Sequence, residues 1–250
     1  MHSIIRRKKQ GYAEVEDMKN RVVWSFLGLV LLFVFIITFM RTPQQIDGLL
    51  REVSGGVRNF SAFVHLAFLA VIIIGLIFKR ARNHIFSFFI AFISLSATVI
   101  AVRYAILPNI VIFTMFFILI VHAYIKKRLN FNFSAKNPVN LLFGITAMVF
   151  GFWYLHWVET PVWLNALLYS PLGVVNCPTM LMVAGFLCLC EEPRSVKLEA
   201  TVALTTLYFG FFGVFKLGAY VDVAMIICAL YLILRLGSYL NYKGKFKRVE

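Results

Sequence analysis

The chain has 250 residues, of which 61% are hydrophobic, 16% aromatic and only 14% charged, where a soluble domain carries about 25% charged residues. With a mean hydropathy of +0.83, this composition excludes a soluble domain and predicts an all-α, polytopic membrane helical bundle. The net charge of +14 does not point to nucleic acid as a partner: the cations stand at the ends of apolar runs rather than among exposed aromatics, where the positive-inside rule accounts for them.

A span needs roughly 20 apolar residues. Residues 1–21 form a basic segment (RRKKQGYAEVEDMK) that does not read as a cleavable signal, because the apolar run after it ends without a small-residue cleavage site. The spans expected in order are Val22–Met40, Phe60–Phe78, His84–Val102, Ile110–Ile125, Val139–His156, Pro178–Cys190, Ala200–Phe215 and Ala219–Leu240. That makes eight in one domain over 22–240, followed by a basic tail over 241–250. The fourth, sixth and seventh are short, so seven spans with one re-entrant segment is the alternative. Between the first two, Gly55-Gly56 marks a turn, and a short interfacial helix is expected from Pro43 to Val53. Trp153, Tyr154, Trp157, Trp163 and Tyr169 bracket the outer end of the fifth span as an aromatic belt would. Between them TPVWLNALLY lies on, or dips into, the outer leaflet.

Basic clusters before the first span (Arg6 to Arg21) and after the second (Lys79, Arg80, Arg82), fourth (Lys126, Lys127, Arg128, Lys136) and eighth (Lys243 to Arg248) fall in alternate loops. Both termini are therefore expected in the cytoplasm. The loop Glu191–Glu199, with three glutamates, disagrees mildly. Small residues predict close helix packing: Gly144, Ala147 and Gly151 on the fifth span, Ser87, Ala91, Ser94 and Thr98 on the third, and Thr206, Gly210 and Gly213 on the seventh.

The chain's one Cys-Pro pair interrupts this pattern at Tyr169–Pro193 (YSPLGVVNCPTMLMVAGFLCLCEEP). Pro178 suits the first turn of a helix and pushes Cys177 away from helical geometry. Non-helical backbone before it is tolerated at membrane depth only where protein or a water-filled cavity satisfies its polar groups. Cys177 is expected at the floor of an outward-facing, water-accessible cavity.

Ionisable groups inside spans are costly and become functional candidates. His65, Arg103, His156, Glu159, Asn176, Cys177, Lys216 and Asp222 gather toward the outer leaflet; on the other side His122 is the comparable group. Each also has a plain reading. Arg103 and Lys216 can snorkel; Asp222 complements a helix dipole or pairs with one of those two cations. His65 is bonded to a neighbouring carbonyl or acts as a ligand or proton relay, and His156 and Glu159 are interface residues. His65, His156 and Cys177 are ligand types for a soft metal, but their spacing carries no metal signature, and Cys188 and Cys190 point to different sides of a helix. His65 and His156 lie at similar depth, as paired haem ligands would. No nucleotide, hydrolase, zinc-protease or CxxC motif is present, and no cofactor or catalytic residue follows from the sequence. The four cysteines lie in or beside apolar runs, where cysteine behaves as a small hydrophobe.

From GVVNCPTMLMVAGFLCL through EEPR to YFGFFGVFKLGAYVDVAMII, the chain resembles an uncharacterised family of bacterial multi-pass membrane proteins with a Gly-Val-x-x-Cys-Pro-Thr stretch. Gly173, Val174, Cys177, Pro178 and Thr179 carry the resemblance, with Gly185, Pro193, Arg194, Gly210, Gly213, Gly218 and Asp222 behind them. It implies importance for Cys177 to Thr179, Thr179 among the candidate binding residues, and an inner-membrane location, but no reaction. Three functions remain open: a small transporter or permease built on the Cys177-Pro178 helix start, a membrane subunit or sensor whose protein partner reads the basic cytoplasmic face, and an intramembrane redox or metal-binding protein.

Overall fold

An apolar chain in lipid must satisfy its own backbone, and a helix does so within one segment. The computed structural model describes residues 25, 28–30, 32–133, 138–156, 163–191 and 195–246. Among these it is almost wholly helical, with no strand beyond an isolated bridge between Phe131 and Cys190.

Chain contacts divide the molecule at Met40. Before that point lies α1 (Gly28–Met40), in which the Thr38 hydroxyl donates to the Val34 carbonyl at 2.6 Å. From Arg41 onward follow α2 (Pro43–Gly56), α3 (Arg58–Ile77), α4 (Arg82–Arg103), α5 (Leu107–Ile125), α6 (Pro138–Phe152), α7 (Trp163–Tyr169), α8 (Asn176–Cys188), α9 (Val196–Leu217), a 3-10 turn (Tyr220–Asp222) and α10 (Val223–Phe246). The helix expected from Pro43 runs on to Gly56. It starts from a capping box, Thr42 with Gln45, around Pro43. α10 continues through Phe246, into the segment expected to be a tail.

Five helices, α3, α4, α5, α9 and the stretch Tyr220–Tyr242, are long and apolar enough to cross a membrane, or six if α1 and α2 together count as one broken span. This is consistent with an integral membrane protein, but it is fewer than the eight spans expected, of which the fourth (α5) and seventh (α9) run longer than their apolar stretches suggested. Two of the expected spans are short apolar helices, α6 and α8. α6 stops at Phe152 rather than His156, and only part of Val22–Met40 is described. Residues 1–21, Trp157, Glu159, Lys136 and Arg194 lie outside the described residues.

Every residue of the 13-residue α8 is buried, with α6, α9, α10 and α4 packed against it. Glycine makes the closest of these packings. A side chain on Gly151 would stand 2.8 Å from the Pro178 carbonyl, and one on Gly185 would stand 2.9 Å from the Gly144 carbonyl. The α6 seam read from the sequence is thus an α6–α8 backbone contact. The α9 seam, Gly210 and Gly213, lies against Met225, Ile226 and Asp222.

Candidate functional site

The chain leaves α7 at Tyr169 and reaches α8 through a buried irregular stretch, residues 170–175. Pro171 supplies the turn: its carbonyl accepts from the Val174 and Val175 amides at 3.2 and 3.1 Å. Gly173 takes φ +72°, a left-handed conformation that side chains disfavour. Its amide donates to the Thr179 hydroxyl (2.9 Å), which itself donates to the Val175 carbonyl (2.6 Å), while the Ser96 hydroxyl of α4 donates to the Gly173 carbonyl (2.8 Å). Protein groups therefore satisfy this non-helical backbone, and the expected water-filled cavity is not what does so. Cys177 is only 2% exposed.

The helix also starts earlier than expected, at Asn176 with Val175 as its extended N-cap. Cys177 is helical despite the proline after it. In the first turn the amides lack helical partners in any case, so the N–H missing from Pro178 breaks no bond.

Opposite this helix start, α9 ends on Gly218 in the left-handed conformation (φ 66°), and the 3-10 turn carries Asp222 inward. The carboxyl is fully buried. Its Oδ1 accepts from the Tyr154 hydroxyl at 2.6 Å and its Oδ2 from the Cys177 thiol at 3.3 Å. The Cys177 sulfur is also 3.8 Å from Asn176 Oδ1. Tyr154 is itself fully buried, its amide donating to the Ser170 hydroxyl at 3.3 Å. Gly213 leaves room for the carboxylate: a Cβ there would overlap Oδ2 and stand 2.7 Å from Cγ. Uncharged O–H and S–H donors thus hold both carboxylate oxygens, close to the partial positive charge of the α8 N-terminus.

The expected pairing of Asp222 with Arg103 or Lys216 does not form. Arg103 is exposed, its guanidinium 5.8 Å from the Tyr104 ring, and the Lys216 ammonium stands 5.4 Å from the Phe212 ring. The reason is topological: Arg103 leaves the end of α4 toward its own turn, while Asp222 is folded back under Gly213.

His65, fully buried on α3, points Nδ1 at the Ser61 carbonyl and Nε2 at the Phe152 carbonyl, both at 2.8 Å. Each ring nitrogen thus faces a carbonyl oxygen, one on α3 and one at the end of α6, and the nitrogen that carries the hydrogen donates to its carbonyl. His156 is half-buried and within electrostatic reach of the α2 ion pair instead, and burial and then the Arg51 cation lower its pKa, with Asp47 opposing. Among the described residues no three His, Cys, Asp or Glu side chains gather as metal ligands. Glu159 lies outside the described residues.

The structure brings together Asn176, Cys177, Thr179 and Asp222, and adds Tyr154, Ser170 and Ser96, which sequence reasoning did not single out. Tyr154 read as one more belt aromatic. Also missed was a buried ion pair at the other end of α8, where Arg235 bonds Glu199 and the last α8 carbonyls. The signal was in plain view, a lone arginine inside LILRLG; His122, the group noted on that side, is exposed on α5. The chain matches no protein-family model, no curated protein and no solved structure.

Proposed function

We propose that this chain is a small multi-pass carrier of the cell inner membrane, with cytoplasmic termini, in which Asp222 at the broken start of α8 binds and releases a proton as part of transport. The observation that carries this reading is the fully buried carboxyl held by Tyr154 and Cys177 beside a helix too short to span a bilayer. Discontinuous helices facing an intramembrane ionisable group are a recurring way for carriers to build ion and substrate sites. The Gly-Val-x-x-Cys-Pro-Thr resemblance supports the same locus, because Thr179 and Gly173 shape the loop that delivers Cys177.

Proteoliposomes under an imposed pH gradient, read with an internal pH dye, test it. Wild type should pass protons faster than empty vesicles, and Asp222→Asn should abolish the difference. Equal flux from both, or none from wild type, refutes the reading. Reporter fusions after Arg82, Lys136 and Glu250 should all report cytoplasm. A membrane subunit with a protein partner on the basic face is the second reading, supported by the exposed Lys126, Lys127 and Arg128; co-purification of a stoichiometric partner would favour it.

A further inference from the structure

A second polar feature lies away from α8, between α4 and α5. There a cleft of about 860 Å³ runs along both helices, with Val71 of α3 at its back, a volume in the range of small-molecule and lipid-chain sites. Its walls are apolar, among them Ala91, Phe92, Phe117 and Val121. Phe88 and Leu95 on its rim are 77% and 43% exposed, so it opens sideways, toward what would be lipid.

Two observations make it more than a packing gap. The first is Ser87, which lines the cleft at 2% exposure with a hydroxyl that has no hydrogen-bond partner. On the same helix Ser94 and Thr98 return their hydroxyls to carbonyls one turn back, at 2.7 and 3.0 Å; Ser87 does not. A buried hydroxyl left unpaired is a cost that a ligand acceptor would remove. The second is charge. At one end of the cleft His84 Nδ1 and the Tyr124 hydroxyl meet at 2.8 Å. Immediately beyond stand Lys79 and Arg80 before α4, and Lys126, Lys127 and Arg128 after α5, all exposed. The described acids near this end are engaged elsewhere, Glu191 with Asn130 and Asn132, Glu199 with Arg235.

We infer that the α4–α5 cleft is a binding site for one anionic glycerophospholipid. Its phosphate sits among Lys79, Arg80 and Lys126 to Arg128 beside the His84–Tyr124 rim, an ester carbonyl accepts from Ser87, and an acyl chain lies past Ala91. The order of these groups matches the ligand. Ser87 is three residues from His84, hence on the same helix face and one turn deeper, as an ester lies below a phosphate. Basic pockets between spans are a known lipid-headgroup arrangement, and the orphan hydroxyl beneath this one is what a simple polybasic surface lacks.

Delipidated full-length protein titrated with phosphatidylglycerol or phosphatidylcholine of the same chains, read by native mass spectrometry, tests it. Wild type should hold one phosphatidylglycerol preferentially, and each of Lys126→Gln, Lys127→Gln and Arg128→Gln should weaken that binding by about fivefold. Ser87→Ala should weaken both lipids, and Ala91→Trp should remove the tightly bound molecule. Equal binding of the two lipids by wild type overturns the inference whatever the variants do. So does undiminished binding of phosphatidylglycerol by Ser87→Ala, which also decides the matter if Ala91→Trp fails to fold.

Discussion

Arg235→Met should be the most damaging single change outside the Asp222 site. The guanidinium donates from Nε to Glu199 Oε1 (2.8 Å), its Nη2 lies 2.6 Å from the same oxygen, and three further bonds reach the carbonyls of Leu187 (2.8 Å), Cys188 (3.0 Å) and Cys190 (3.2 Å). Both side chains are nearly enclosed, at 10% and 4% exposure. Removing one partner of a buried pair costs about 3–5 kcal/mol, and the abandoned helix-end carbonyls add about 1–3 kcal/mol for each left without a donor. With one carbonyl left without a donor, a loss of roughly 4–8 kcal/mol is therefore expected. Glu199→Leu should sit near the low end of the pair cost, because the carbonyls still hold the cation at the negative end of α8. Glu199→Leu with Arg235→Met should cost less than the sum of the two, since no lone charge remains. Arg235→Lys should recover only part of the loss, because an ammonium cannot match this planar set of acceptors. The measurement is reversible unfolding in mixed detergent micelles followed by tryptophan fluorescence. A loss below about 1 kcal/mol for Arg235→Met, or additive single and double changes, would refute the reasoning.

Gly213→Ala should displace Asp222, because the added carbon overlaps the carboxylate; overpacking of this kind costs about 1–3 kcal/mol, and proton flux should fall with it. Cys177 should resist a membrane-impermeant thiol reagent in a variant lacking the other three cysteines, its sulfur being buried against Asp222; rapid labelling from outside would mean that the site opens to water. His65→Phe should lower stability by about 1–3 kcal/mol, since it removes the hydrogen bond that the ring gives to one of the two carbonyls it faces, Ser61 or Phe152, while leaving the Asp222 hydrogen bonds in place.

Much of the bundle was legible from local pattern. Apolar runs of span length mark α3 and α4, and shorter ones mark α5 and α9, because lipid leaves the backbone little choice but helix. Gly144 and Gly151 announced a close crossing, and Pro43 announced a helix start. These signals depend on neighbours within a turn or two. The short helices α6 and α8 were harder, because their ends are set by what they pack against rather than by where hydrophobicity stops.

The sequence by itself therefore determined the helical class, the approximate place of each apolar helix, and the break in helical pattern around Cys177 and Pro178. Only the tertiary structure decided what that stretch does. Whether broken backbone is met by water or by protein depends on Ser96 reaching Gly173 across 77 positions. Whether Asp222 pairs with a cation or with Tyr154, 68 positions away from it, depends on a fold-back under Gly213. Hydropathy is a sum over adjacent residues, whereas a buried polar group is satisfied by whichever distant side chain the packing brings within about 3 Å, and that choice is made by the whole bundle at once.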